Sequence, residues 1–163
     1  MKNFLTLILG LIIVSCNQNQ TNHGVMQNDD DKSLIVEKLA DSYLAGNFDM
    51  AREHFSEDGK HYFNDLEFDV DGIIEGYNSH SLIFSDIKHN DRKIYTVYFS
   101  DGSVETFHDF NWSATSIISG NEYYYPAHCR WVWEGDQIVR TNCYVDPAAI
   151  FAEVALFQET NQE

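Results

Sequence analysis

The chain has 163 residues, 44% hydrophobic and 22% charged, a composition that suits one globular domain and excludes a disordered chain. Its formal charge of −16 at pH 7 leaves no basic excess, which argues against a nucleic-acid partner or a surface that binds anionic lipid.

The chain opens as a targeting segment. Lys2 supplies a short positive region, and residues 4–14 form an apolar run too short to span a membrane comfortably. Ile13-Val14-Ser15-Cys16 then resembles the bacterial lipobox, with an aliphatic residue three before the cysteine and a small one just before it. The resemblance implies a signal peptide over residues 1–15 and a lipidated Cys16. Acyl chains on Cys16, palmitate among them, would hold the chain in the bacterial cell envelope, facing the periplasm or the exterior. Residues 16–30 are Asn- and Gln-rich and read as a flexible polar tether, so the folded domain is expected over residues 31–163.

Asp31 suits the N-cap of a helix to about Ala45, with Ile35, Leu39 and Tyr43 as its apolar stripe, flanked by Val36 and Ala40. Gly46 stops it. Asn47 or Asp49 caps a second short helix to about Phe55, with Met50, Ala51, His54 and Phe55 free to pack. Residues 60–63 suit a short strand. A third helix starts at Asp69 or Asp71 and runs to about Phe84, with Ile73, Ile74, Tyr77 and Leu82 as its apolar residues.

From Lys93 the period becomes two. Asp101-Gly102 predicts a two-residue hairpin turn, which pairs Tyr95 with His108 and puts both on the apolar face with Trp112. Residues 113–122 read as a loop. A long hairpin follows, with strands over residues 123–133 and 137–145. Ala127, Cys129, Trp131 and Trp133 alternate with His128, Arg130 and Glu134; Val139, Thr141, Cys143 and Val145 alternate with Arg140, Asn142 and Tyr144. Val132 and Ile138 break the pattern. Putting both apolar sets on one face asks for an odd-length loop. A loop of residues 135–137 sets Cys129 opposite Cys143; a loop of 134–136 sets them diagonally; a two-residue loop puts them on opposite faces. A disulfide and two close thiols both stay open on this reading, export favouring the former. Asp146-Pro147 suits the start of a terminal helix to about Gln158, with Ile150, Val154 and Phe157 on one side.

Helices followed by antiparallel strands give an α+β fold with the helices on one sheet face. Ala45-Gly46-Asn47-Phe48-Asp49, then His54-Phe55-Ser56-Glu57-Asp58, and finally Trp133-Glu134-Gly135-Asp136-Gln137-Ile138 leading to Tyr144-Val145-Asp146 resemble the SnoaL-like members of the nuclear transport factor 2-like superfamily. The resemblance implies a cone: a strongly curved antiparallel sheet, N-terminal helices on its concave face and a pocket between them. It also implies homodimerisation through the outer sheet face. Isomerases, cyclases, dehydratases and members without a reaction share that superfamily.

His108 is the leading acid/base candidate, since it points into the expected pocket; the plainer reading is a buried, hydrogen-bonded histidine. Asp65 falls near the place of the base in the superfamily's ketosteroid isomerases, but the tyrosine's place is nearer Leu39 and the strand acid's place, around residues 126–128, holds no carboxylate. Tyr43, Tyr95, Trp112 and Trp131 are candidate ligand-binding residues, or simply core. His54 and His61 lack a third ligand, so no metal site is expected, and no cofactor is implied. His128 and Arg130 are placed on the polar outer face. Three functions compete: a membrane-anchored protein that binds a small hydrophobic or aromatic molecule; an isomerase-, cyclase- or lyase-type enzyme using His108 with or without Asp65; and a non-catalytic dimerising module.

Overall fold

A computed structural model describes residues 23–161. The signal peptide, Cys16 and the tether as far as residue 22 lie outside the described residues.

Seven strands form one curved sheet with the order β1-β4-β5-β6-β7-β2-β3. They are β1 (Gly24–Gln27), β2 (Phe55–Phe63), β3 (Leu66–Phe68), β4 (Phe84–Phe99), β5 (Val104–Ser116), β6 (Glu122–Glu134) and β7 (Gln137–Tyr144). All neighbours are antiparallel except β2 and β7, which run parallel. Among the described residues three α-helices, α1 (Asp31–Leu44), α2 (Val70–Ile83) and α3 (Ala148–Thr160), and a 3-10 turn at Phe48–Glu53 complete the α+β cone.

Asp30, rather than Asp31, caps α1 and accepts from the backbone N–H of Lys32 and Ser33. Val36, Leu39, Ala40 and Tyr43 recur at helical spacing and are buried against the sheet. Asn47 caps the 3-10 turn; Ala51 is buried, whereas Met50 is exposed. Asp69 caps α2, where Ile73 and Ile74 are buried and Leu82 is exposed. Full burial of an aliphatic side chain such as Leu39 or Ile74 stabilises the fold by about 1.5–3 kcal/mol.

A hydrogen-bond chain fastens α1 to the sheet. Trp133 Nε1 donates to Thr106 Oγ1 at 2.9 Å, Thr106 meets Thr96 Oγ1 at 2.8 Å, Thr96 meets Ser33 Oγ at 2.8 Å, and Ser33 donates to Asp30 Oδ2 at 2.7 Å. An indole can only donate and a carboxylate can only accept, so every hydroxyl passes its hydrogen toward Asp30. Burial pushes the Asp30 carboxyl up, but the bonds from Ser33 and Tyr98 prevail and its pKa is lowered. At the other end, Glu153 of α3 is buried and accepts from Ser116 Oγ at 2.6 Å, Ser119 Oγ at 2.5 Å and Tyr123 Oη at 2.5 Å. Desolvation raises its pKa, yet these three donors together leave it lowered.

Several expectations need correction. Gly24–Gln27, expected within the tether, forms an edge strand on β4. Its four residues are all exposed and carry no alternation, so the strand exists because β4 offers an unpaired edge. A Cβ on Gly24 would lie 2.3 Å from Val97 Cγ1, so the close approach needs glycine. β4 begins at Phe84, and β5 runs on to Ser116 through residues expected as loop. Register shifts between Ser85 and Lys88 and between Asn90 and Lys93, with Asp86 and Asp91 at positive φ, erase the alternation that would have revealed the first half of β4.

The β4–β5 turn is one residue longer than expected. Phe99 N–H donates to Ser103 O across Ser100, Asp101 and Gly102, with Gly102 at φ +89°. Such three-residue loops place glycine in the left-handed region. The register therefore pairs Ile94, not Tyr95, with His108, while Tyr95 pairs with Phe107. Tyr95 accordingly sits on the outer face, stacked on Phe107 at 5.4 Å, and is removed from the candidate ligand-binding set.

The β6–β7 loop is corrected too, with a different outcome. Glu134 pairs with Gln137 across a two-residue loop, but Val139 is an extra, bulged residue. Ile138 faces inward opposite Trp133, and the bulge after it restores the parity that the apolar alternation demanded. Cys129 thus lies directly opposite Cys143, and the two are disulfide-bonded, with Cα atoms 4.1 Å apart.

Candidate functional site

The cone encloses a narrow cavity of about 60 Å³ between the helices and the concave face. Tyr43 reaches it from α1, Tyr77 and His80 from α2, His89 from β4, His108 and Trp112 from β5, Trp131 from β6 and Ile150 from α3. The Cys129–Cys143 pair forms part of its wall. Among the described residues no carboxylate, lysine or arginine lines it.

Trp112 Nε1 donates to Tyr43 Oη at 3.0 Å, and Tyr43 Oη lies 3.0 Å from His80 Nδ1. The phenol oxygen accepts from the indole and shares a hydrogen bond with Nδ1, whose donor is set by which ring nitrogen of His80 carries the proton. Tyr43 also stacks on His89 at 5.3 Å. Burial raises the pKa of Tyr43 despite the Trp112 bond, and burial next to Tyr43 raises that of Tyr77. Both phenols therefore stay protonated.

The histidines are held neutral. Burial, then the neighbouring His89, Arg92 and His128, lowers His108 to about 2. Burial and Arg92 lower His89 to about 3, against the pull of Asp41, and burial lowers His80 to about 4. Four polar atoms of the wall, His108 Nε2, His89 Nδ1, Tyr77 Oη and Trp131 Nε1, are buried without a protein partner. Each such group costs about 1–3 kcal/mol when left unpaired, so the wall favours an occupant that can exchange a few hydrogen bonds. The result is an aromatic, uncharged enclosure with a small set of convergent donors and acceptors.

No protein-family model and no curated protein matches the chain. Solved structures do match. A candidate polyketide cyclase from Xanthomonas campestris pv. campestris is 14% identical with a TM-score of 0.61, over 75% of this chain and 95% of that one. A candidate isomerase from Bacillus subtilis gives 13% identity and a TM-score of 0.59 over 75% and 91%. IdmH, a candidate polyketide cyclase from Streptomyces antibioticus, gives 16% and 0.58 over 77% and 99%. The chain has the nuclear transport factor 2-like cone fold. At these identities the likeness carries the architecture and not the chemistry.

Within the cone, His108, Trp112, Trp131 and Tyr43 meet at one cavity. Asp65 does not join them. It is exposed in the tight turn between β2 and β3, next to Asn64, and lies outside the cavity lining. A base placed there has no access to a molecule inside the cone. His61 is buried behind the cavity, stacked on Phe55 at 4.0 Å with Nδ1 3.0 Å from Thr141 Oγ1, and burial lowers it to about 4. His54 closes the 3-10 turn, and Asp146 accepts from Ala148 N–H at the start of α3. Among the described residues no group of three or more His, Cys, Asp or Glu is placed to hold a metal ion. Sequence reasoning missed Tyr77, His80 and His89 as wall groups. Tyr77 and His80 share the i, i+3 spacing of one helix face, a signal that was available. His89 lies in the irregular half of β4, where no periodicity marked a face.

Proposed function

We propose that the cone binds a small, uncharged, largely apolar molecule, flat enough to lie among aromatic rings, and that lipidated Cys16 anchors the chain to a membrane of the bacterial envelope. One observation carries the binding reading: a wall of aromatic rings and neutral histidines with unpaired polar atoms and, among the described residues, no charged side chain. At about 60 Å³ the cavity is smaller than the roughly 150 Å³ of one that holds a benzene ring, so an aromatic occupant enters only as wall side chains move. Tyr144, half exposed at the wall, is the natural one to swing.

A second reading is an isomerase-, cyclase- or lyase-type enzyme with His108 as acid/base. The hydrogen-bonded series Trp112, Tyr43, His80 supports it, because with the His80 proton on Nδ1 the Tyr43 oxygen accepts from both neighbours and its own O–H is left to bind a developing oxyanion. It is the weaker reading because His108, lowered to about 2, is a poor base and no carboxylate assists it.

Native mass spectrometry of the Cys16→Ala chain tests the binding reading: a co-purified mass, or uptake of 2-naphthol that shifts the Trp112 and Trp131 indole resonances, is expected. No retained mass and no shift would refute it. For the anchor, a fatty-acid probe should label wild type and not Cys16→Ala; equal labelling rejects it. Turnover of any substrate found that survives His108→Ala rejects the enzymatic role of that residue.

A further inference from the structure

Outside the cavity, β7 ends at Tyr144 and leaves the first residues of β6 without a β7 partner. An open cleft of about 640 Å³ lies there, lined by Asn64, Asp91, Lys93, Asp109, His128 and Asp146 among others. It shares Phe110, Ala127, Tyr144 and Val145 with the cavity wall, so it adjoins the cavity.

His128 and Asp109 are directly opposite on β6 and β5, and His128 Nδ1 lies 2.6 Å from Asp109 Oδ1. The other carboxylate oxygen accepts from Tyr95 Oη at 3.3 Å. An ionised carboxylate only accepts, so Nδ1 carries the hydrogen and the neutral ring keeps its lone pair on Nε2. Nε2 has no partner among the described residues, and the side chain is 40% exposed. A histidine oriented by an acid, with its second nitrogen open to a cleft, is the arrangement that general-base catalysis requires. Asn64 supplies an independent sign of a ligand. Its Oδ1 accepts from Val145 N–H at 3.2 Å, while Nδ2 is buried without a partner.

We propose that this cleft is a second site, an acid–base site, in which His128 is the general base and Asp109 the residue that positions it. Asn64 Nδ2 and Lys93 bind the oxygen on which negative charge develops. The substrate class is a small polar carbonyl compound, neutral or cationic, because Asp91, Asp109 and Asp146 outnumber Lys93 along the walls. Nε2 takes a proton from the carbon next to the carbonyl. With a hydroxyl on that carbon the C–H electron pair moves into an enediolate, the hydroxyl hydrogen passes to the former carbonyl oxygen, and the imidazolium returns the proton to the former carbonyl carbon. The step is an isomerisation and needs no co-reactant.

The probe is 5-nitrobenzisoxazole, offered to the full chain. Nε2 removes its C3 proton, the C–H pair forms the nitrile, the N–O bond breaks and the charge leaves as the phenolate. Wild type should exceed an equal concentration of free imidazole by about 100-fold. His128→Ala should lose that gain, and added imidazole should restore part of it. His128→Gln carries the same test if the alanine variant does not fold. Asp109→Asn should lower kcat by about 10-fold with KM little changed and displace the ¹⁵N shifts of His128 from the Nδ1–H tautomer; Asp109→Glu should recover part of kcat. Wild type no faster than imidazole, or a rate that survives both His128 variants, overturns the proposal. A loss in Asp109→Asn confined to stability, with kcat and the tautomer intact, removes Asp109 from it.

Discussion

Cys129 on β6 and Cys143 on β7 face each other across one strand pair, their Cα atoms 4.1 Å apart and their sulfurs bonded. The bridge closes a short loop, with 14 residues of separation. Thiol titration of the unfolded, unreduced Cys16→Ala chain should find no free thiol. Reduction should lower stability by about 3 kcal/mol, the loop-closure value for such a length. Two free thiols per chain would refute the bond.

Val139 is the extra residue that the bulge absorbs, which lets a two-residue loop and the Cys129–Cys143 pairing coexist. Deleting it should leave Glu134 opposite Gln137 and Cys129 opposite Cys143, because it removes only the unpaired member of the bulge. Deleting Arg140 next to it leaves the same count, but Val139 must then take an ordinary outward position. Deleting Ile138 removes a fully buried side chain. Melting temperatures should therefore fall least for Val139 and Arg140 and most for Ile138, whose loss costs about 2–5 kcal/mol. A Val139 deletion as damaging as that of Ile138 contradicts the assignment.

Thr96→Val interrupts the chain that runs from Trp133 through Thr106, Thr96 and Ser33 to Asp30. The substitution keeps shape and strips both bonds, leaving Ser33 and Thr106 short of a partner in the core. Urea denaturation should show a loss of about 1–3 kcal/mol, and hydrogen exchange at the start of α1 should quicken. Unchanged stability means the chain contributes nothing net.

His61 and His108 are buried, and burial lowers them from the ordinary 6.5 to about 4 and about 2. Above pH 6.5 both the folded and the unfolded chain hold them neutral, and this source of destabilisation is absent. As pH falls below 6.5 the unfolded chain takes up protons that the folded chain refuses. Each histidine then removes up to about 1.4 kcal/mol of stability per pH unit until its folded value is reached. Asp30 and Glu153, both lowered, add their own loss at more acidic pH. Urea midpoints should drop steeply between pH 6.5 and 4.5, and less so for His108→Gln. Flat midpoints over that range contradict the neutral, buried histidines.

The succession of helices and then long strands, the apolar face of α1, and the alternation within β6 and within β7 are local facts of spacing, and the sequence by itself determined them. Helical and strand periods are written into consecutive residues, so no partner is needed to read them. Tertiary structure alone decided the rest. A single residue in the Ser100–Gly102 loop moved Tyr95 to the outer face and brought Ile94 to His108, because a one-residue change in register turns a strand over. Gly24–Gln27 became a strand only because β4 presented an edge. The pairing of Asp109 with His128 and the meeting of Tyr43, His80 and His89 join residues far apart in the chain, and no local pattern records which distant side chains curvature will bring together.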